Sequence, residues 1–274
     1  MGAGLETVLG TVTAPGATLT ALAVATDQTF TIRNTPPNVD IRLIAMWANN
    51  NVAGVFRIRS PRLHDNVHGI RQQVLAAAPH PMIPPRPLQK LYAQDALILE
   101  LSGSAVAGNI ETGFFMAYYQ DIPGLAARFI DPVALMARGV NLVGNEVDLA
   151  PGVGGGWTGG KALNATFDNL KANTDYAVLG ATLSAATGAI GIVGPDTGNL
   201  RVGIPGVLTD PVMTQEWFVR ISRLSGIPLI PVINSANKAG TLLTAAATQA
   251  GTAVNVSLTL CELAPGGGPS PTGR

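Results

Sequence analysis

The sequence predicts an all-β protein made of two tandem β-sandwiches related by internal duplication, with a few short helices. Two observations predict it. The first is an echo between the halves: Asn38, Asp40, Gly54, Phe56, Ile58, Pro61 and Gly69 recur as Asn173, Asp175, Gly188, Ile190, Ile192, Pro195 and Gly203. The offset is 135 at the first two positions and 134 at the others. A constant offset across turn and core positions is the mark of a repeat. After a loop-sized slip, Phe114, Met116 and Tyr118 match Val256, Leu258 and Leu260, and Pro123-Gly124 matches Pro265-Gly266. The second observation is short alternating apolar runs separated by Gly and Pro turns, the pattern of sandwiches and barrels.

Taken in order, residues 1–28 read as an N-terminal arm or a weak first strand, small and rich in Thr and Ala. The first sandwich is expected over 29–124. Thr29–Arg33 reads as a strand ended by Pro36-Pro37, and Val39, Ile41, Leu43, Ala45 and Trp47 alternate on one face. Val55–Arg59 puts Phe56 and Ile58 on one face and two arginines on the other. Pro61 to Pro87 is mostly loop, with a brief helix expected over Ile70–Ala78, before strands at Ala96–Leu101 and Ile110–Tyr119.

Residues 125–164 read as a connector. Asp131 caps a short helix, Pro132 suits its first turn and Gly139 ends it. A glycine-rich linker follows from Pro151 to Lys161. The second sandwich is expected over 165–266, with strands at Tyr176–Leu183, Ala189–Val193 and Leu200–Ile204. A helix starts at Asp210-Pro211, carries Met213, Trp217, Ile221 and Leu224 on one face, and stops at Gly226. The last strand has the cleanest alternation, Val254, Val256, Leu258 and Leu260 against Asn255, Ser257 and Thr259. Residues 267–274 read as a flexible tail.

No residue stands out as a catalyst. Gly155 to Lys161 satisfies G-x-x-x-x-G-K, but Ala162 stands where a phosphate loop needs Ser or Thr for magnesium. His64, Asp65, His68 and His80 lie in a Pro-bracketed loop, where an i, i+4 spacing does not share a face, and they read as a cluster without a metal. A cupin-type barrel would need a close His-x-His pair, which is missing. The sequence has no G-x-S-x-G, no C-x-x-C and no H-E-x-x-H. Cys261 is the single cysteine, so no intrachain disulfide framework exists. Glu6 with no basic residue before it is unlike a secretory signal, and no run of 18 apolar residues suggests a membrane span. No catalytic, cofactor or metal residues are therefore expected, and no small-molecule substrate.

Charge carries more information. Only 12% of the chain is charged, about half the usual share, which suits a surface covered by neighbours. Residues 33–90 hold eight basic residues against Asp40 and Asp65. Arg57, Arg59 and Arg62 in this stretch are the candidate partner-contact residues, facing an acidic neighbouring subunit, a membrane surface or nucleic acid. Their solvated face predicts that replacing Arg57 and Arg59 by Ser leaves the fold intact. Their counterparts in the repeat are Gly191 and Val193, so the outward faces differ while the inward faces agree.

The paired units, their Gly/Pro turns and the helix in the second unit resemble the double jelly-roll major capsid proteins of icosahedral viruses and bacteriophages, over about Thr29 to Gly266. The resemblance implies two jelly-roll-like sandwiches per chain and a structural virion protein, not an enzyme. It implies homotrimers of pseudo-hexameric outline that tile a shell with other virion proteins and assemble in the host cytoplasm. A virion decoration protein or a fibre-type, carbohydrate-binding adhesion module is the alternative. The latter calls for clustered aromatics, whereas Trp47, Trp157 and Trp217 are dispersed along the chain. A bicupin-like metalloenzyme is the further alternative.

Overall fold

Four antiparallel sheets pair into two sandwiches in the computed structural model, which describes residues 2–63, 66–76, 81–84, 89–150, 154–185, 187–206, 214–247 and 253–265. The first sandwich uses β1 (Gly2–Thr13), β2 (Thr20–Ala21), β3 (Ala23–Val24), β4 (Ile41–Asn49), β5 (Gly54–Arg59), β6 (Ile70–Val74), β7 (Lys90–Leu91), β8 (Ile98–Leu101) and β9 (Ile110–Ile122). Sheet I runs β2-β8-β5-β6 and sheet II runs β3-β1-β9-β4-β7.

The second half begins with β10 (Phe129–Ile130), helix α1 (Pro132–Arg138) and β11 (Gly139–Leu149). It continues through β12 (Gly156–Trp157), β13 (Lys161–Ala162), β14 (Asp175–Leu183), β15 (Ala189–Val193) and β16 (Val202–Pro205). Helix α2 (Trp217–Ser225), β17 (Ile230–Asn234), β18 (Leu242–Ala247) and β19 (Val254–Leu263) complete it. Sheet III runs β12-β18-β15-β16 and sheet IV runs β10-β17-β14-β19-β11.

The strand order repeats. Sheet II contains β1-β9-β4-β7 and sheet IV contains β11-β19-β14-β17; adding ten to each label converts one into the other, and the same holds for sheets I and III. Even an irregularity recurs. The β4–β9 ladder shifts register between Leu43 and Ala45, and the β14–β19 ladder between Val178 and Gly180, the same 135-residue offset. Bulges bend a strand and re-aim its side chains. Here the shift splits β4: Ile41 and Leu43 face the core shared with sheet I, whereas Ala45 and Trp47 face sheet III. The single-faced alternation expected from Val39 to Trp47 is corrected accordingly.

Two cores show how the sheets stack. One lies between sheets I and II, with Phe56, Ile58, Leu99 and Leu101 meeting Val8, Leu43, Phe115 and Tyr119. The other is continuous from the far face of sheet II, through sheet III, to sheet IV and α2. The layers therefore follow the order I, II, III, IV.

Several local expectations change. Ile70–Val74 is a strand, because pairing with β5 over five registered residues overrides a weak helical pattern. Thr29–Arg33 contributes only an isolated bridge, Thr31 to Ala96. Of the two readings of residues 1–28 the first strand is the one found, and it is not weak: β1 pairs with β9 from Gly2 to Thr13 inside sheet II. Gly139–Leu149, within the expected connector, is a strand paired with β19. Helix α1 matches its reading, with the amide of Ala134 donating to Asp131 Oδ1 at 2.7 Å. The expected start of α2 at Asp210-Pro211, with Met213, lies outside the described residues. Its stripe holds at Trp217 and Ile221, both fully buried, but Leu224 is exposed. Gly226 ends it at φ 71°, a left-handed conformation that favours glycine.

Candidate functional site

The tryptophans that are dispersed in sequence converge at the seam between the sandwiches. Trp47 stacks on Phe114 with ring centroids 5.1 Å apart and planes 11° from parallel. Trp217 meets Trp47 edge-on at 5.9 Å, and Trp157 meets Phe114 edge-on at 6.2 Å. Both fully buried indoles find acceptors: Trp47 Nε1 donates to the carbonyl of Gly188, and Trp217 Nε1 to that of Gly203, each at 3.0 Å. Trp47 and Trp217 are core, whereas Trp157 is half-buried at the edge of the seam.

Sheet III accommodates them because its seam face is small. A Cβ at Gly188 would lie 2.7 Å from the Phe114 ring, and one at Gly203 would lie 2.7 Å from the Thr7 side chain. Close approach lets the backbones bond across the seam. The Thr7 amide donates to the Arg201 carbonyl at 2.7 Å, and the Gly203 amide donates to Thr7 Oγ1 at 2.9 Å. The two sandwiches are thus joined by hydrogen bonds and aromatic packing at once.

The basic stretch is less free than its sequence suggests. Arg57 and Arg59 do point away from buried Phe56 and Ile58, as read. They converge on one carboxylate, Glu100, which lies opposite Arg57 on β8. Arg57 Nε donates to Glu100 Oε2 at 2.6 Å, and Arg59 Nε donates to the same oxygen at 2.9 Å. Burial works against ionising Glu100, but the hydrogen bonds from Arg59 and Arg57 outweigh it and hold the carboxyl below its ordinary range. Replacing both arginines would strand a nearly buried carboxylate, so the expected neutrality of that change is corrected. Arg62 donates to the Ala93 carbonyl at 2.9 Å and lies 5.8 Å from the Tyr92 ring centroid.

Elsewhere in the stretch Arg33 grips Glu6 through two bonds of 2.7 and 2.6 Å, and Arg42 pairs with Asp40 at 2.7 Å. The repeated aspartate does likewise: Asp175 accepts from Arg128 at 2.5 and 2.9 Å. Its carboxyl is held below the usual range, chiefly by that bond. Two arginines against one glutamate still leave the outer face of sheet I positive, with Arg71 exposed beside them.

His64, Asp65 and His80 lie outside the described residues, and His68 is exposed. Among the described residues no three His, Cys, Asp or Glu side chains converge as a metal site. Lys161 donates to the Asp148 carbonyl at 2.6 Å, and its glycine-rich segment joins two short strands of sheet III instead of a strand and a helix. That is not a phosphate loop. Cys261 is buried on β19, and burial pushes its thiol up. Among the described residues no helix is long and apolar enough to cross a membrane.

No family model matches the sequence, and no curated protein matches it either. Solved structures do. The chain is similar to the PBSX exported protein XepA, at 11% identity over 93% of this chain and 86% of that one, with a TM-score of 0.27. It is similar at 12% identity to the T=1 Penaeus vannamei nodavirus chain, over 94% and 98% of the two chains, with a TM-score of 0.23. The structures it resembles also include the major capsid protein P2 from bacteriophage PM2, matched over 100% of both chains at 8% identity and a TM-score of 0.26.

Proposed function

We propose that the chain is a structural protein of a virion shell, a major capsid protein that assembles as homotrimers and turns over no substrate. One observation carries the reading: two sandwiches that share one order of eight strands, with a bulge at the same offset, are fused face to face into one four-layered body. The strand order within each is that of an eight-stranded jelly roll, and gene duplication accounts for both the order and the sequence echo. Three such chains offer six similar lobes, which lets a three-fold assembly fill a roughly six-fold lattice position.

The surface supports copy-to-copy contacts. Helix α1 buries no residue and exposes Val133 and Met136 at 76% and 79%, next to Val140 and Leu142 of β11 at 56% and 73%. β11 is an edge strand of sheet IV, and an apolar edge left open invites pairing or packing. We assign this edge to subunit contacts. The positive face with Arg57, Arg59 and Arg62 we assign to an anionic neighbour.

Mass measurement at micromolar concentration, with negative-stain microscopy of the same sample, tests the reading. A trimer that forms lattices is expected. Met136→Asp with Leu142→Asp should shift it to monomer without moving the unfolding midpoint. A chain that stays monomeric even with its companion virion proteins would overturn the shell role.

A further inference from the structure

Arg201 is built into the seam without the partner that other shielded arginines have. Among the described residues, the half-buried Arg42, Arg57, Arg59, Arg128, Arg138 and Arg220 each lie against an oxygen acceptor. Arg201 has none: its guanidinium lies over the Trp157 ring, 4.7 Å from the centroid, and its Nε is buried without a hydrogen bond. The placement is set by two neighbours. Gly191 leaves the notch for its stem, since a Cβ there would lie 2.7 Å from both Cγ and Cδ of Arg201. Trp157 is in turn locked by donating to Gln28 Oε1 at 3.0 Å and by its edge contact with Phe114.

The arginine borders a cleft of about 400 Å³, lined also by Thr26, Asp27, Gly159, Gly160 and Leu242. A Cβ at Gly159 would meet nothing within 4 Å, so the cleft is open there. Burial depresses the guanidinium's hold on its proton, which the more distant Asp27 and Glu6 only partly offset. Glu6 is already committed to Arg33. Asp27 is exposed at the mouth. A partly desolvated cation without a bonded anion is costly to keep, and an arginine stacked by one face still has its planar donor edge for a bidentate acceptor.

We propose that this cleft binds a small ligand through a carboxylate, which completes the ion pair that Arg201 lacks, while the rest of the ligand lies along Gly159, Gly160 and Leu242. The negative Asp27 at the mouth favours a singly charged carboxylate over a dianionic phosphate. A sugar acid and a peptide C-terminus share this chemistry. Such a site is independent of the shell role, and its failure leaves that role untouched.

Tryptophan fluorescence reads it directly, because Trp157 is half-buried whereas Trp47 and Trp217 are fully buried. The full-length protein is titrated with glucuronate, with an N-acetylated dipeptide, with glucose and with inorganic phosphate. Saturation by glucuronate or the dipeptide below about 10 mM is expected, and which of the two binds more tightly identifies the source. Arg201→Gln should weaken it roughly tenfold or more. Gly159→Leu should abolish it by filling the cleft while leaving the Arg201–Trp157 stack in place, and exposed Arg223→Gln should change nothing. Circular dichroism of each variant checks the fold. No saturable response to either carboxylate overturns the site, as does an equal response to glucose, tighter binding of phosphate, or binding that survives Gly159→Leu.

Discussion

Strands β9 and β19 hold the same position in the two sandwiches, but they are buried differently. On β9 every residue from Glu111 to Tyr119 is buried. On β19, Val254, Val256, Leu258 and Leu260 are buried while Asn255, Ser257 and Thr259 are half-exposed. The cause is the stack. Sheet II has sheet I on one face and sheet III on the other, whereas sheet IV is an outer layer. One topology therefore accepts a continuous apolar run or a strict alternation, depending on whether its second face is covered. Position in the assembly of layers, not strand order, writes the pattern.

Exchanging the residues that differ breaks the comparison most directly. Phe114 and Ser257 hold equivalent positions, because Trp47 opposite Phe114 and Thr182 opposite Ser257 stand at the bulge-matched offset of 135, so Phe114→Ser should cost about 3–5 kcal/mol, the range for removing a buried aromatic. Urea denaturation measures it, and a cost below about 1 kcal/mol would mean that sheet III does not cover that face.

A smaller effect is expected at the arginines, which have Gly191 and Val193 as counterparts in the repeat. Arg57→Ser with Arg59→Ser should lower the unfolding midpoint by a few degrees at neutral pH, because Glu100 loses both donors. Glu100 has a folded-state pKa below its ordinary value of 4.5. Its stabilisation is thus present above the unfolded-state pKa and lost as pH falls through the folded-state one. The gap between variant and parent should close in acid, below that point; a gap constant with pH would rule out the Glu100 pairing as its source.

The reciprocal exchange should be the mildest. Ser257→Val on the outer layer should change monomer stability by less than about 0.5 kcal/mol. Thermal unfolding checks it, and a large loss would show that the outer face of sheet IV is covered within the chain.

Much of the fold was legible because alternation and helix caps are local signals. Val254 to Leu260 shows its faces without help, and Asp131, Pro132 and Gly139 bracket α1 correctly. What failed depended on partners distant in sequence. The small residues of β1 carry no strong strand pattern, and only pairing with β9, which starts at Ile110, makes them an interior strand of sheet II. The bulge between Leu43 and Ala45 reverses the facing of β4 midway, which no periodic count detects. Arg57 looked solvated because Glu100 lies 43 positions away. Arg201 drew no notice, since its stack on Trp157 and the notch at Gly191 exist only after sheet III has formed.

The pairing of β1 with β9 and of β11 with β19 has a consequence for the chain's birth. β1 leaves the ribosome well before β9 and cannot close its ladder until β9 has emerged. Trp47 and Phe114 must then wait for Gly188 and Gly203 before their seam face is covered. At ordinary translation speeds the nascent first sandwich shows water a bare aromatic surface for on the order of ten seconds. Pairings this distant also close slowly. During synthesis that surface is the natural landing place for a holding chaperone, and crowding on one messenger would make neighbouring nascent chains compete for it.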